Sequence, residues 1–202
     1  MSVAGTGTIA GVSGSYQLIY DSAQNITWLD YTLPYDSPGF TSWGNAVSWA
    51  NNLSVTFNGA NLTGWRLPVV NPGQWFHYDD LSEGFNFTNW EMGFLFYTEL
   101  GDKGYYDTNG NYQPNYGLVN TGPFKNLQPV TYWSGTATDA YHAWTMNFND
   151  GGQSPDGDVY FHYALAVHDG DVGEPTTPIP GAVWLFGSGL VGLIGLKRKY
   201  LG

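Results

Sequence analysis

Cysteine is absent from the 202 residues. That removes disulfide frameworks, thiolate zinc sites and a cysteine nucleophile together. Charge is scarce as well, at 11% of the chain, and only six residues are Lys or Arg. Three of those, Lys197, Arg198 and Lys199, sit together near the C-terminal end. Arg66, Lys103 and Lys125 are left to face all 17 acids. A surface of that sign repels phosphate backbones and argues against nucleic acid as a partner. It suits cations, neutral glycans or basic partners. The first fifteen residues lack both a basic n-region and an apolar h-region. Residues 1–14, rich in Gly, Ser, Thr and Ala, therefore read as a flexible lead-in, and an exported chain would need its signal upstream of Met1. What is abundant is aromatic residues, at 17%, and glycine, with 28 copies. Few charges with many Trp, Tyr, Asn, Gly and Thr point away from a helical bundle and toward an all-β or α+β domain with long polar loops.

The end of the chain has a different character. Ile179 to Leu196 contains no charged residue. Those roughly 18 positions would span about 27 Å as a helix, close to a bilayer core. Lys197-Arg198-Lys199 follows directly, a stop-transfer cluster that would place the preceding domain outside the cytoplasm. Nine Ile, Val, Leu and Phe residues contribute only ~4 kcal/mol to insertion, and five glycines with Pro180 oppose it. The competing reading is a buried core helix, which the glycine content and the abrupt basic end disfavour. The run from Pro178-Ile179-Pro180 through Trp184-Leu-Phe-Gly-Ser-Gly189 to the basic cluster resembles the PEP-CTERM sorting signal. This chain has Ile where the name-giving motif has Glu. The resemblance implies recognition by an exosortase-type processing enzyme, cleavage near Pro178, Ile179 and Pro180, and transient inner-membrane anchoring. A cell-surface or extracellular destination in an exopolysaccharide-making bacterium would follow.

Residues 15–172 read as one domain, with 173–178 as a Pro/Thr-rich linker to the tail at 179–202. Tyr16–Tyr20 and Asn25–Leu29 are β-rich runs around a turn-like Asp21-Ser-Ala-Gln, which predicts a hairpin. Trp43, Ala46, Val47, Ala50 and Leu53 form one apolar stripe at helical spacing. Thr88 with Glu91 reads as a capping box opening a second helix, whose buried face would be Met92, Leu95, Phe96 and Leu100, with Gly101 ending it. Thr131–Ser134, Ala143–Phe148 and Val159–Val167 read as strands, with Asn-Asp-Gly-Gly turn chemistry between the last two. The sum is α+β.

The order of these elements brings a second resemblance. Ile26-Thr-Trp-Leu29, Gly64-Trp-Arg-Leu-Pro68, Tyr132-Trp-Ser-Gly-Thr136, Ala143-Trp-Thr-Met-Asn-Phe-Asn149 and Tyr163-Ala-Leu-Ala-Val167 look like the DUF1566 family, also called the Lcl C-terminal domain. The resemblance implies a C-type-lectin-like fold and binding of glycosaminoglycan-like or matrix partners.

Several side chains are candidate sites. Arg66, between Trp65 and Leu67, could hold a ligand carboxylate or, alternatively, pair structurally with Glu91 or Glu99. Trp75, Tyr78, Tyr105, Tyr106, Tyr112 and Tyr116 lie in Gly/Asn-rich segments; such rings either stack on sugars or pack their own loops down. Asn149, Asp150, Asp156 and Asp158 offer hard oxygens on a glycine-rich loop, the donor set calcium takes, and the same residues are ordinary turn formers. Asp107, Asn109 and Asn111 open with EF-hand spacing, but Tyr112 and Leu118 stand where Gly and Glu belong. His77, His142, His162 and His168 show no metal-helix spacing. No nucleophile elbow or phosphate loop occurs, and formylglycine-generating chemistry needs the missing cysteine. The expected function is a non-catalytic binding module for glycan or exopolysaccharide. A ligand-free structural component of a biofilm matrix is the alternative, and a carbohydrate-active hydrolase using carboxylates such as Glu83 and Glu91 is a third reading.

Overall fold

The computed structural model describes residues 1–34, 42–70 and 84–173. The sorting-tail residues Pro178, Ile179, Pro180, Lys197, Arg198 and Lys199 lie outside them, as do Trp75, Tyr78, His77 and Glu83. Among the described residues, no helix is long and apolar enough to cross a membrane.

Among the described residues, nine strands and two short helices make an α+β architecture, mostly sheet. In chain order they are β1 (Ser2–Ile9), β2 (Tyr16–Asp21), β3 (Ile26–Leu33), α1 (Trp43–Asn51), β4 (Val55–Phe57), β5 (Ala60–Leu62), α2 (Glu91–Phe94), β6 (Thr131–Ala137), β7 (His142–Asn147), β8 (Gln153–Gly157) and β9 (Ala164–Asp169). A six-stranded sheet runs β5-β4-β1-β2-β3-β9, and a three-stranded sheet runs β6-β7-β8. All of these pairings are antiparallel.

Side chains alternate across a strand, so a sheet covered on both faces buries consecutive residues. Leu18 and Leu29 enter one apolar cluster with Ala46 and Ala50 of α1, Trp65, Leu67 and Trp133. Their neighbours Ile19 and Trp28 enter a second cluster with Met92, Leu95, Phe96, Tyr132, Met146 and Phe148. β9 does the same, sending Ala164 and Ala166 to the first and Leu165 and Val167 to the second. Both faces are thus filled without any disulfide.

The predicted hairpin forms with Leu18 opposite Leu29 and Asp21 opposite Ile26. Asp21 Oδ1 accepts the amides of Ala23 and Gln24, and Asn25 takes a left-handed φ of 54°, a conformation Asn tolerates. α1 presents the expected stripe, with Ala46 and Ala50 buried and Trp43 and Val47 packed beside them.

Three expectations need correction. Residues 1–14 are not a loose lead-in, since β1 pairs with both β2 and β4 in the middle of the larger sheet. Its glycines are there for space: a Cβ on Gly5 would meet Phe57 at 2.5 Å, and one on Gly7 would meet Val55 at 2.6 Å. The capping box at Thr88 does not form. The helix begins at Glu91, whose amide donates to Val69 O and whose carboxylate turns to Arg66. It continues as a π-helical turn (Leu95–Glu99), with Leu100 N bonding Leu95 O, and Gly101 at φ 68° ends it as expected. The predicted 159–167 strand is shorter, and β8 precedes it. Asn-Asp-Gly-Gly therefore joins β7 to β8, and β8 accommodates Pro155 as an edge strand.

Candidate functional site

Arg66 belongs to the frame. Its backbone bridges to Val167 of β9 through hydrogen bonds of 2.9 and 2.8 Å. Its guanidinium donates to both carboxylate oxygens of Glu91 at 2.8 Å, and to Asp169 Oδ1 at 2.7 and 3.1 Å. Glu91 Oε2 also accepts the Val69 amide at 2.7 Å. The hydrogen bonds to Glu91, working against burial, push the Arg66 pKa further above its usual value. The fork is filled by protein carboxylates, so the structural ion pair with Glu91 describes Arg66, not a ligand clamp.

The four oxygen-bearing residues proposed for calcium do not form one cage. Asp150 Oδ1 accepts the Gly152 amide at 2.7 Å as an Asx turn. Asp156, at the far end of β8, accepts Gly157 N and pairs with His162. The Asn149 amide donates to Asn147 Oδ1, and the Asp158 carbonyl accepts the Trp43 amide. Among the described residues, no group of three or more His, Asp or Glu is placed to hold a metal. Burial raises the Asp150 carboxyl above its ordinary range, against the opposing Gly152 hydrogen bond.

Tyr105, Tyr106, Tyr112 and Tyr116 are brought together. Tyr105 is the hub, with ring centroids 4.7 Å from Tyr106, 5.0 Å from Tyr112 and 4.8 Å from Tyr116, all edge to face. The backbone around them is tied by bridges Lys103–Gly117 and Tyr106–Tyr112. Asp107 Oδ1 accepts the amides of Asn109 and Asn111 at 2.8 Å each. The EF-hand-like spacing is thus a turn that closes on itself. Those hydrogen bonds from Asn111 and Asn109 also hold the Asp107 carboxyl below its ordinary range.

A groove that the sequence did not single out as a site lies across β6, the end of β7 and the loop before β9. Its volume is about 660 Å³. Pro129, Val130 and Thr131 form one side, Asn147 and Asn149 another, and Asp156 with residues 160–163 a third. Tyr160 and Phe161 are each 59% exposed. Their segment is held by main-chain bonds: Trp133 N donates to Tyr163 O, and Tyr163 N donates to Thr131 O, both 3.0 Å. His162 sits over the buried Trp133 ring at 4.6 Å, edge to face, and its Nε2 donates to Asp156 Oδ2 across 2.7 Å. Beside the groove, Tyr141 and Val159 are also exposed, and Asp158 N bonds Tyr141 O. Four exposed large apolar side chains, Tyr141, Val159, Tyr160 and Phe161, thus fall in or next to the groove's segment.

Chemically the groove combines open ring faces with amide, carboxylate and imidazole groups at their margin. That is the pattern that takes apolar C–H faces and hydroxyls at once. The sequence signal exists in Val159-Tyr-Phe-His162 with Asp156, but the run reads as part of a strand. No family model, no curated protein and no solved structure matches this chain.

Proposed function

We propose that the chain is a non-catalytic binding module for neutral glycan, exported to the surface or matrix of an exopolysaccharide-making bacterium. The observation that carries the glycan reading is the groove, where two half-open rings, Tyr160 and Phe161, stand beside Asn147, Asn149, His162 and Asp156. Aromatic faces with polar tips at the margin bind sugars without needing charge. The acidic balance of the chain favours uncharged polysaccharide over anionic glycosaminoglycan. The module is read as non-catalytic because, among the described residues, the groove lining supplies one carboxylate, Asp156, where glycosidic cleavage ordinarily uses two.

Export and sorting rest on the tail. The charge-free run from Ile179 to Leu196 and the basic cluster Lys197-Arg198-Lys199 support membrane passage through an exosortase-type enzyme. The ordered motifs Trp65-Arg-Leu-Pro68 and Tyr132-Trp-Ser-Gly135 support membership of the DUF1566 family and a C-type-lectin-like arrangement of the sheets.

The test is capture of the full chain on immobilised neutral exopolysaccharide, beside an inert protein of equal acidity. Specific retention that is lost in the double variant Tyr160→Ala/Phe161→Ala supports the reading. Retention no better than the control, or unchanged in the variant, contradicts it.

A further inference from the structure

A second concavity shares no residue with the groove. It lies between the outer face of α1 and the ends of β1 and β3, with a volume of about 580 Å³. Its floor is apolar: Ile9, Leu33 and Leu53 are almost wholly buried, and Val12 packs beside them. Two rings wall it. Tyr31 and Trp49 have centroids 6.3 Å apart with planes tilted by 40°, and Tyr16 buttresses Tyr31 edge to face at 4.8 Å. Asn45, Ser48 and Asn52, exposed along α1, supply the rim.

Two features distinguish this pocket from an ordinary surface dent. Among the described residues the lining contains no charged side chain, although the chain carries 17 acids. The rings also bring polar tips that no other described residue takes up. Neither the Tyr31 hydroxyl nor the Trp49 indole N–H makes a hydrogen bond among the described residues, and both rings are only half-buried. A phenol and an indole N–H at the edge of an apolar hollow are usually partnered when buried. Here both rings are only half-buried, so a ligand in the hollow would take the place of water on these two groups. An ionic ligand would find no counter-charge, and a purely apolar one would strand the two donors and the amide rim. A pocket of this size with apolar walls and a few convergent polar groups has the general form of a small-molecule site.

The geometry points to this hollow as a second sugar-binding site, taking one uncharged sugar residue with its C–H face on Trp49 and Tyr31. Asn45, Ser48, Asn52 and the Tyr31 hydroxyl meet its hydroxyl groups. This rests on the glycan reading of the groove and makes the domain bivalent. The pocket runs along α1 from Asn45 to Asn52, while Asp158, just before the groove's segment 160–163, accepts the Trp43 amide at 2.9 Å. With no lining residue in common, the two sites can hold two strands of polysaccharide or two points of one strand.

The two sites have separate tryptophan reporters: Trp49 in the pocket wall, and Trp133 under His162 in the groove. The full chain labelled with 5-fluorotryptophan is titrated with glucose, galactose, mannose and N-acetylglucosamine, and with neutral oligosaccharides of each, by fluorine NMR. The Trp49 resonance, assigned by Trp49→Phe, is expected to shift with at least one of them. Ser48→Lys places a long cationic side chain at the exposed rim on a helix that tolerates lysine. It is expected to weaken the Trp49 response about tenfold or more while leaving Trp133 responsive. Tyr160→Ala is expected to do the reverse. A Trp49 signal unmoved by every sugar while Trp133 titrates overturns the second site alone. Silence at both overturns the glycan reading with it. Loss of both responses in either single variant overturns the independence of the sites.

Discussion

Tyr105 stands in a polar, glycine-rich loop and Tyr160 in a bulky aromatic run, and their rings end in different situations. Tyr105 makes edge-to-face contacts with Tyr106, Tyr112 and Tyr116 and is half-buried. Tyr160 and its neighbour Phe161 are left 59% exposed, next to amides and a His–Asp pair. The difference lies in what anchors each loop. In the first, Asp107 and the two bridges fold the chain back so that the tyrosines meet one another. In the second, Tyr163 is clamped to β6 by two main-chain bonds, Tyr160 N bonds back to Gly157 O, and His162 packs on Trp133. Rings that satisfy each other are ballast for a loop, and rings held open beside polar groups form a surface.

The comparison can be tested from its largest consequence downward. Glu91→Ala removes the partner of Arg66 and should lower stability by about 3 kcal/mol, because the guanidinium is left half-buried and one-sided. Chemical denaturation should show both aromatic regions lost in one transition, since the pair ties β9, which follows the groove segment, to α2, which precedes the tyrosine loop. Tyr105→Ala should cost about 2 kcal/mol, through lost area and three ring contacts. Capture on neutral polysaccharide should be unchanged by it. Tyr160→Ala and Phe161→Ala should do the opposite: each weakens glycan binding about tenfold, or 1.4 kcal/mol, with stability altered by less than about 0.5 kcal/mol.

The smallest effect is a pH dependence. Asp150, whose carbonyl accepts the Tyr105 amide at 2.7 Å, has a carboxyl raised by burial above the ordinary 3.8. A raised acid binds its proton more tightly in the folded state. Its stabilising contribution is therefore complete below pH 3.8 and is lost as the pH rises through the folded value. Asp150→Asn should flatten that dependence, read as the hydrogen-exchange protection of Tyr105 and its neighbours across the acid range.

Much of the frame was legible in the sequence because local chemistry and burial agreed there. Asp21 and Asn25 announced the hairpin, and the stripe from Trp43 to Ala50 announced α1. Arg66 was readable as a partner for Glu91 because so few cations exist to answer the acids. β1 was not legible, because Gly5 and Gly7 are required by Phe57 and Val55, which lie elsewhere in the chain. β8 was not, because Pro155 and its flanking Asp and Gly residues carry turn chemistry that an edge strand overrides. The capping box failed for a related reason: a carboxylate that can meet a guanidinium and an amide in the tertiary fold leaves the helix end. Of the sites, the meeting of the four tyrosines followed from their clustering, although not their mutual packing. The groove stayed hidden because the same bulky run, Val159 to Tyr163, serves equally as a buried strand or an open platform until its partners are known.

The most direct measurement is hydroxyl-radical footprinting of the full chain with and without a neutral exopolysaccharide fragment, read residue by residue by mass spectrometry. Tyr112, at 57% exposure, is the matched control for Tyr160 and Phe161. The account predicts strong protection of Tyr160 and Phe161 with Tyr112 unchanged. Protection of Tyr112 with the other two still fully reactive would contradict it.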